Sequence, residues 1–258
     1  MNSFQNNYIG KPHYYFDNID STNDYALYWI SNSSPIEGTA ISAGYQSEGR
    51  GQIGRNWEGE RDSNIYTSII LKPTFLKIHD LFLLNQAISL GISAAIEELL
   101  LIPVLIKWPN DIVTKNKKKI CGILIQNILE GLTLQFSIVG IGININQSQF
   151  PPHLTNATSL YLEKGKLFHL DTCRNILFSY IEYYYNLLKK GQFDIIRKNY
   201  HDSLFGLDKK HRFISKENEW EAVIKGVQDN GKLILSTPSG VEYFSHHEIK
   251  LLLDLEEK

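Results

Sequence analysis

Lys119–Asn146 reads KICGILIQNILEGLTLQFSIVGIGININ. Two apolar runs, Ile120 to Leu129 and Leu132 to Ile145, flank Gly131, and both suit strands buried on at least one face. The chain is therefore expected to reverse at Gly131 and lay these strands side by side. Gly140 and Gly142 weaken the second strand unless something packs closely over its backbone, so a flat ligand lying there is expected. Their pattern lacks the final glycine and the strand-to-helix setting of a dinucleotide fingerprint, which excludes that reading.

Working outward, Val104 to Lys107 and Ile112 to Thr114 are extended segments joined by a turn at Pro109-Asn110-Asp111, and a basic turn (Lys115 to Lys119) leads into the hairpin. Upstream, Leu81 to Leu101 carries apolar residues at helical spacing, with small residues at Ala87, Gly91, Ala94 and Ala95, as expected of a long helix backing a sheet. Further upstream lie strand-like His13 to Phe16, a cap-rich turn at Asp20 to Asn23, and a helical Tyr25 to Ile30. Strand-like Thr39 to Tyr45 and Asn64 to Leu71 follow, separated by a Gly- and Arg-rich segment from Gly49 to Trp57. Downstream of the hairpin come a Pro/Asn-rich loop, Asn146 to Asn156, and helical stretches at Asp171 to Lys190 and Phe193 to Leu204. From Gly206 the texture changes to short strands punctuated by Asp229-Asn230-Gly231 and Pro238-Ser239-Gly240, the density expected of a small β barrel. The expected division is a catalytic unit over 1–205 and the barrel over 206–258.

Composition narrows the function classes. The chain has 258 residues, 26 Lys+Arg against 28 Asp+Glu, a formal charge of −2, and 43% hydrophobic residues. A core of ordinary size is expected, while disorder and a chain-wide basic footprint for nucleic acid are not. Cys121 and Cys173 can make neither a disulfide framework nor a CxxC metal site, so a reducing cytoplasm is the expected setting. Met1 to Phe16 is too polar for a signal peptide. The apolar stretch Leu99 to Ile106 is far short of the ~20 residues that span a bilayer. No membrane partner is expected.

Four segments carry chemistry. In Gly49-Arg50-Gly51-Gln52-Ile53-Gly54-Arg55-Asn56-Trp57, glycines let the backbone approach a ligand, and Arg50 and Arg55 offer forked donors to phosphate; the same composition also makes a plain flexible connection. No Gly-Lys-Ser/Thr closes it, so it is not a Walker loop. Lys107-Trp108-Pro109-Asn110-Asp111-Ile112 reads as a tight turn with polar groups at its tip. Lys119-Ile120-Cys121-Gly122-Ile123-Leu124 puts a lysine at the mouth of a buried strand, where it either meets developing negative charge or solvates the hairpin tip with Lys115, Lys117 and Lys118. The fourth is Val139 to Asn146 with its paired glycines.

In this order and spacing the four segments resemble the biotin protein ligase family. Its hallmarks are a GRGRxGRxW-like loop, a KWPND turn, a KxxGIL strand and a GxGxN strand, here GRGQIGRNW, KWPNDI, KICGIL and GIGIN, preceded by the STN turn at Ser21 to Asn23. The resemblance covers most of residues 13–205. It implies an α+β fold: a mixed β-sheet backed by helices, like the catalytic fold of class II synthetases, followed by the small C-terminal β barrel.

The resemblance further implies an ATP-dependent ligase that activates biotin as biotinyl-5′-AMP and passes it to a lysine of a biotin carboxyl carrier protein domain. Biotin would be bound by Ser21, Thr22, Asn23, Gln46, Gly49, Arg50, Trp57, Lys119, Gly122, Leu124 and Gly140. The nucleotide would be bound by Arg50, Arg55, Trp57, Asn110, Asp111, Lys119 and Asn144. Lys119, Arg50 and Asp111 are the implied catalytic residues, Asp111 also orienting or deprotonating the incoming lysine. Mg²⁺ would come with the ATP phosphates, Asp111 being the residue nearest a metal role, with the metal ligands otherwise unknown. Two positions depart from the pattern. Gln52 replaces a common Arg and removes one cation that helps hold the adenylate, and Gln126 stands where a carboxylate is frequent, which speaks against an acid–base or metal role there. Two alternatives stay open: an acyltransferase of the related lipoate and octanoate group, and a non-catalytic sensor of biotin or its adenylate. Only about a dozen residues precede the first family-like strand, against ~60 for a winged-helix module. No DNA partner is therefore expected. An exposed strand edge would serve either a homodimer or carrier docking.

Overall fold

The computed structural model describes residues 8–52, 55–215 and 218–253. The chain enters through β1 (His13–Ile19) and turns at Ser21 into α1 (Thr22–Asn32). Ser21 has extended backbone angles and its hydroxyl accepts from the Asp24 amide, so it satisfies one of the donors that the first helical turn leaves free. β2 (Ala40–Gln46) returns parallel to β1, and β3 (Ile65–Leu71) runs antiparallel to β2. A 3-10 turn (Ile78–Asp80) opens α2 (Leu81–Leu100). β4 (Leu105–Lys107) and β5 (Asp111–Val113) pair across a turn that contains the cis peptide Trp108–Pro109.

The hairpin expected at Gly131 forms as β6 (Lys119–Glu130) and β7 (Thr133–Ile143). Then follow α3 (Leu160–Lys164), α4 (Leu170–Lys189) and α5 (Phe193–Asp202). The C-terminal strands are β8 (Lys210–Ser215), β9 (Asn218–Val227), β10 (Leu233–Thr237), β11 (Gly240–Phe244) and β12 (Lys250–Leu251).

The main sheet has seven strands in the order β1-β2-β3-β7-β6-β5-β4, and its β1–β2 pair alone is parallel. It is the mixed sheet the sequence implies. α2 packs on one face with α4 and α5 behind it, and α1 covers part of the other face around Ala26, Ile41, Ile70 and Ile138. Gly91 permits a close approach of α2 to α4, since a Cβ there would lie 2.9 Å from the Ile181 Cα. The helical segment Ile78–Leu100 is long and apolar enough to cross a membrane, but 72% of its apolar 18-residue stretch is buried inside the fold. It serves as the central core helix.

The C-terminal strands form an antiparallel sheet in the order β11-β10-β9-β8-β12. Among the described residues this sheet is open, which corrects the expected barrel. β12 has only two residues and pairs with β8, so it offers β11 no ladder to close on. Its inner residues Phe213, Ala222, Ile224, Leu233 and Leu235 join the same hydrophobic core as α2 and β7. Backbone bonds join Ile106 of β4 to Ser203 and Phe205, in the segment between α5 and β8, and a bond from Trp108 Nε1–H to the Gly231 carbonyl at 2.9 Å ties the turn after β4 to the C-terminal sheet.

Candidate active site

Every residue implied to bind biotin or nucleotide except Gly49 and Asn144 lines one cavity of about 90 Å³, together with Gly51, Gln52, Asn56, Ile123, Ile141 and Gly142, whereas Gln126 does not line it. Its walls come from the N-terminus of α1 (Thr22, Asn23), the end of β2 (Gln46), the loop after it, and β6 and β7. Strand alternation explains the convergence. Gly122 and Leu124 sit two apart on β6, opposite Gly142 and Gly140 of β7, so all four face the same side.

The glycines make room in a way the sequence did not indicate. A Cβ at Gly122 would lie 2.6 Å, and at Gly142 2.3 Å, from the Trp57 ring, while a Cβ at Gly140 would lie 2.2 Å from Asn23 Oδ1. The space expected to admit a flat ligand directly on the strands is covered by Trp57 and Asn23. Gly142 is thus a cavity residue that the implied biotin and nucleotide sets leave out. The Trp57 indole nitrogen is buried with no hydrogen-bond partner among the described residues, leaving one donor at the cavity.

At the polar end, Thr22 donates to Gln46 Oε1 through its backbone N–H at 2.8 Å and its hydroxyl at 3.0 Å. Asn23 Nδ2 donates to Gln126 Oε1 at 3.0 Å, and the buried Ser68 hydroxyl lies 2.5 Å from Asn23 Oδ1. Ser68 was absent from the sequence reading, because nothing in Ile65-Tyr66-Thr67-Ser68 marks which small polar side chain turns toward α1.

At the charged end, Lys119 Nζ lies 2.7 Å from Asp111 Oδ1 and 5.3 Å from the Trp57 ring centre, and Lys107 Nζ lies 3.7 Å from Asp111 Oδ2. Burial pulls the Lys107 pKa below that of an ordinary lysine, and Asp111 opposes that fall. Arg50 Nε pairs with Asp24 Oδ2 at 2.7 Å across half-exposed surface. The loop is closed on itself by Gly51 N–H to the Arg55 carbonyl and Trp57 N–H to the Gly49 carbonyl. Gly49 therefore forms the base of the loop, where a Cβ would lie 2.4 Å from the Trp57 carbonyl oxygen. Ile53 and Gly54, the third loop glycine, lie outside the described residues.

Asn110 lines the cavity, but its side-chain amide donates to the Ile123 carbonyl at 2.6 Å. Its donor secures the turn to β6, and Asp111 carries the turn's charge into the site. Asn144 lines an adjoining groove of about 660 Å³ with Arg55, Lys107, Asp111, Lys119 and Lys250. Its Nδ2 donates to the Thr158 carbonyl, and its Oδ1 is buried without a partner among the described residues, an acceptor suited to an amino group. Among the described residues no cluster of three or more His, Cys, Asp or Glu side chains suits a metal ion. Both oxygens of Asp111 already face lysines, so the donor set fits an ion that arrives with its own phosphate ligands and water.

Residues 15–144 match the signature of the biotin/lipoate A/B protein ligase family. The bifunctional ligase/repressor BirA of Bacillus subtilis (strain 168) is 30% identical over 247 residues, 94% of this chain and 75% of that protein. The protein of the same name from Bacillus spizizenii is 32% identical over 250 residues with the same coverage. The structure is also similar to the biotin protein ligase of Aquifex aeolicus in complex with biotin and ATP, at a TM-score of 0.79 and 27% identity, covering 94% of this chain and 99% of that one.

Proposed function

This chain belongs to the biotin/lipoate A/B protein ligase family, and from that premise we propose that it is a biotin ligase. It forms biotinyl-5′-adenylate from biotin and ATP and transfers the biotinyl group to a lysine of a biotin carboxyl carrier protein domain. The observation that carries this reading is the polarity of one slot, with neutral hydrogen-bonding groups at Thr22, Asn23 and Gln46 and the Lys119–Asp111–Lys107 cluster at its mouth.

In the first step a biotin carboxylate oxygen attacks the α-phosphorus of ATP and pyrophosphate leaves. Two anions must approach, and Lys119, backed by Arg50 and Arg55, offsets their repulsion as charge redistributes. Mg²⁺ arriving with ATP would supply charge neutralisation for the leaving pyrophosphate, with Asp111 the carboxylate available to it. In the second step the neutral ε-amine of the acceptor lysine attacks the carbonyl carbon of the mixed anhydride, and AMP leaves with the bonding electrons. Asp111 is the carboxylate available to orient that amine and take its proton. The orphaned Asn144 acceptor suits the adenine amino group. Gln52 lines the cavity where an arginine is common, so one cation that would retain the adenylate is missing.

A lipoate or octanoate acyltransferase is disfavoured by the amide and hydroxyl lining at the closed end, which an alkyl or dithiolane head leaves unpaired. A pure sensor has less need of Lys119 and Asp111. Both cysteines are free and buried, which suits the reducing cytoplasm. The test mixes the protein with biotin, Mg-ATP and a carrier-domain fragment. A mass gain of one biotinyl group on the carrier supports the reading, and absence of biotin-dependent pyrophosphate release contradicts it.

A further inference from the structure

Ser68 and Gln126, which have no part in the chemistry above, hold the two ends of one carboxamide. Asn23 Nδ2 donates to Gln126 Oε1 at 3.0 Å, and Ser68 Oγ lies 2.5 Å from Asn23 Oδ1. Ser68 is fully buried on β3, and Asn23 is 4% exposed above Gly140. Ser68 Oγ is also 2.7 Å from Thr22 Oγ1, itself 3.0 Å from Gln46 Oε1.

Serine and threonine carry one hydroxyl hydrogen each. The three contacts Ser68–Asn23, Ser68–Thr22 and Thr22–Gln46 therefore share two hydrogens. With the Asn23 oxygen turned inward, the cluster is one hydrogen short, and buried oxygens in that condition favour a ligand that brings N–H donors. A cyclic urea has two such N–H groups on one rigid ring. A dithiolane ring has none.

We propose, resting on the biotin reading above, that Ser68 and Gln126 are positioning residues that turn the Asn23 oxygen into the slot and so make it select a cyclic urea over the dithiolane head of lipoate. Gln126 accepts from Asn23 Nδ2 and keeps that end of the amide outward, while Ser68 ties the inward oxygen to Thr22 and Gln46. A site built to pair with ligand N–H groups discriminates strongly against an analogue that lacks them, because its own buried groups are then left unpaired.

The test uses steady-state kinetics of the full chain with Ser68→Ala, Gln126→Leu and Gln126→Glu. Ser68→Ala and Gln126→Leu are each expected to raise the biotin KM about tenfold. The ATP KM and the kcat at saturating biotin should stay within about twofold. The ratio of the lipoate inhibition constant to the biotin KM should fall by the same factor as the biotin KM rises. Gln126→Glu keeps an obligate acceptor opposite Asn23 Nδ2 and should restore the wild-type biotin KM. The proposal is overturned if Ser68→Ala and Gln126→Leu keep the wild-type biotin KM and lipoate ratio, or if the biotin and ATP KM values rise together. Should Ser68→Ala fail to fold, the half-buried Gln126 pair of variants decides alone. A wild-type chain with no biotin-dependent turnover would instead overturn the biotin reading itself.

Discussion

Lys119 and Asp111 illustrate how few atoms set the chemistry at the residue scale. Lys119 Nζ is held by one carboxylate oxygen at 2.7 Å and stands over the Trp57 ring, at the junction of the slot and the adjoining groove that also holds Asn144. Replacing it with methionine keeps most of the packing and removes the charge. Lys119→Met is expected to slow adenylate formation about 10²- to 10³-fold, with biotin affinity within a few-fold; pyrophosphate exchange and calorimetry measure the two separately. An adenylation rate within threefold of wild type would exclude the assigned role.

Asp111 also supports Lys107, whose pKa is lowered by burial and raised back by that carboxylate. Removing the carboxylate lets the Lys107 pKa fall further, so its positive charge is lost at lower pH than in the wild type. The alkaline limb of kcat/KM for ATP in Asp111→Asn should therefore move to lower pH. An unmoved limb would mean that Lys107 does not serve the nucleotide.

At the element scale, the turn between β4 and β5 is braced from outside the main sheet. Trp108 precedes Pro109 and is nearly buried, and its indole N–H reaches the Gly231 carbonyl in the tight turn before β10. The C-terminal sheet thus helps fix the turn that delivers Asp111. Trp108→Phe keeps an aromatic core residue and removes the donor, which should lower stability by about 1 kcal/mol and raise the ATP KM more than the biotin KM. Denaturant midpoints and kinetics of this variant test both, and unchanged values of each would show that the bond does not position the turn. Glu58, which directly follows the Gly49–Trp57 loop, meets His153 of the segment after β7, 3.3 Å away at the surface. We expect biotin plus ATP to order this pair of segments over the ligands, which would keep water from the mixed anhydride. Tryptic cleavage after Arg50 and Arg55 should slow in saturating ligand, and equal rates with and without ligand would contradict closure.

Over the whole molecule, legibility followed the range of the interactions involved. Ile120–Leu129 and Leu81–Leu101 announce a strand and a helix because their apolar periodicity is local and long. α3 and β12, five and two residues long, carry too little pattern to read. The order β1-β2-β3-β7-β6-β5-β4 and the open C-terminal sheet depend on pairings between distant segments, which no local pattern encodes. The site behaved alike. Motif residues such as Thr22, Arg50, Asp111, Lys119 and Gly122 converge on one cavity, whereas the occupants of the glycine hollows, Trp57 and Asn23, and the buried link at Ser68 became visible only in three dimensions.

The central claim is that these converging segments activate biotin at the expense of ATP, and the most direct measurement is pyrophosphate release by the purified chain with Mg-ATP in the presence and absence of biotin. The account predicts release that requires biotin, yields biotinyl-5′-adenylate stoichiometrically in the absence of a carrier domain, and collapses in Lys119→Met. Pyrophosphate release that is absent, or that proceeds equally without biotin, would contradict it.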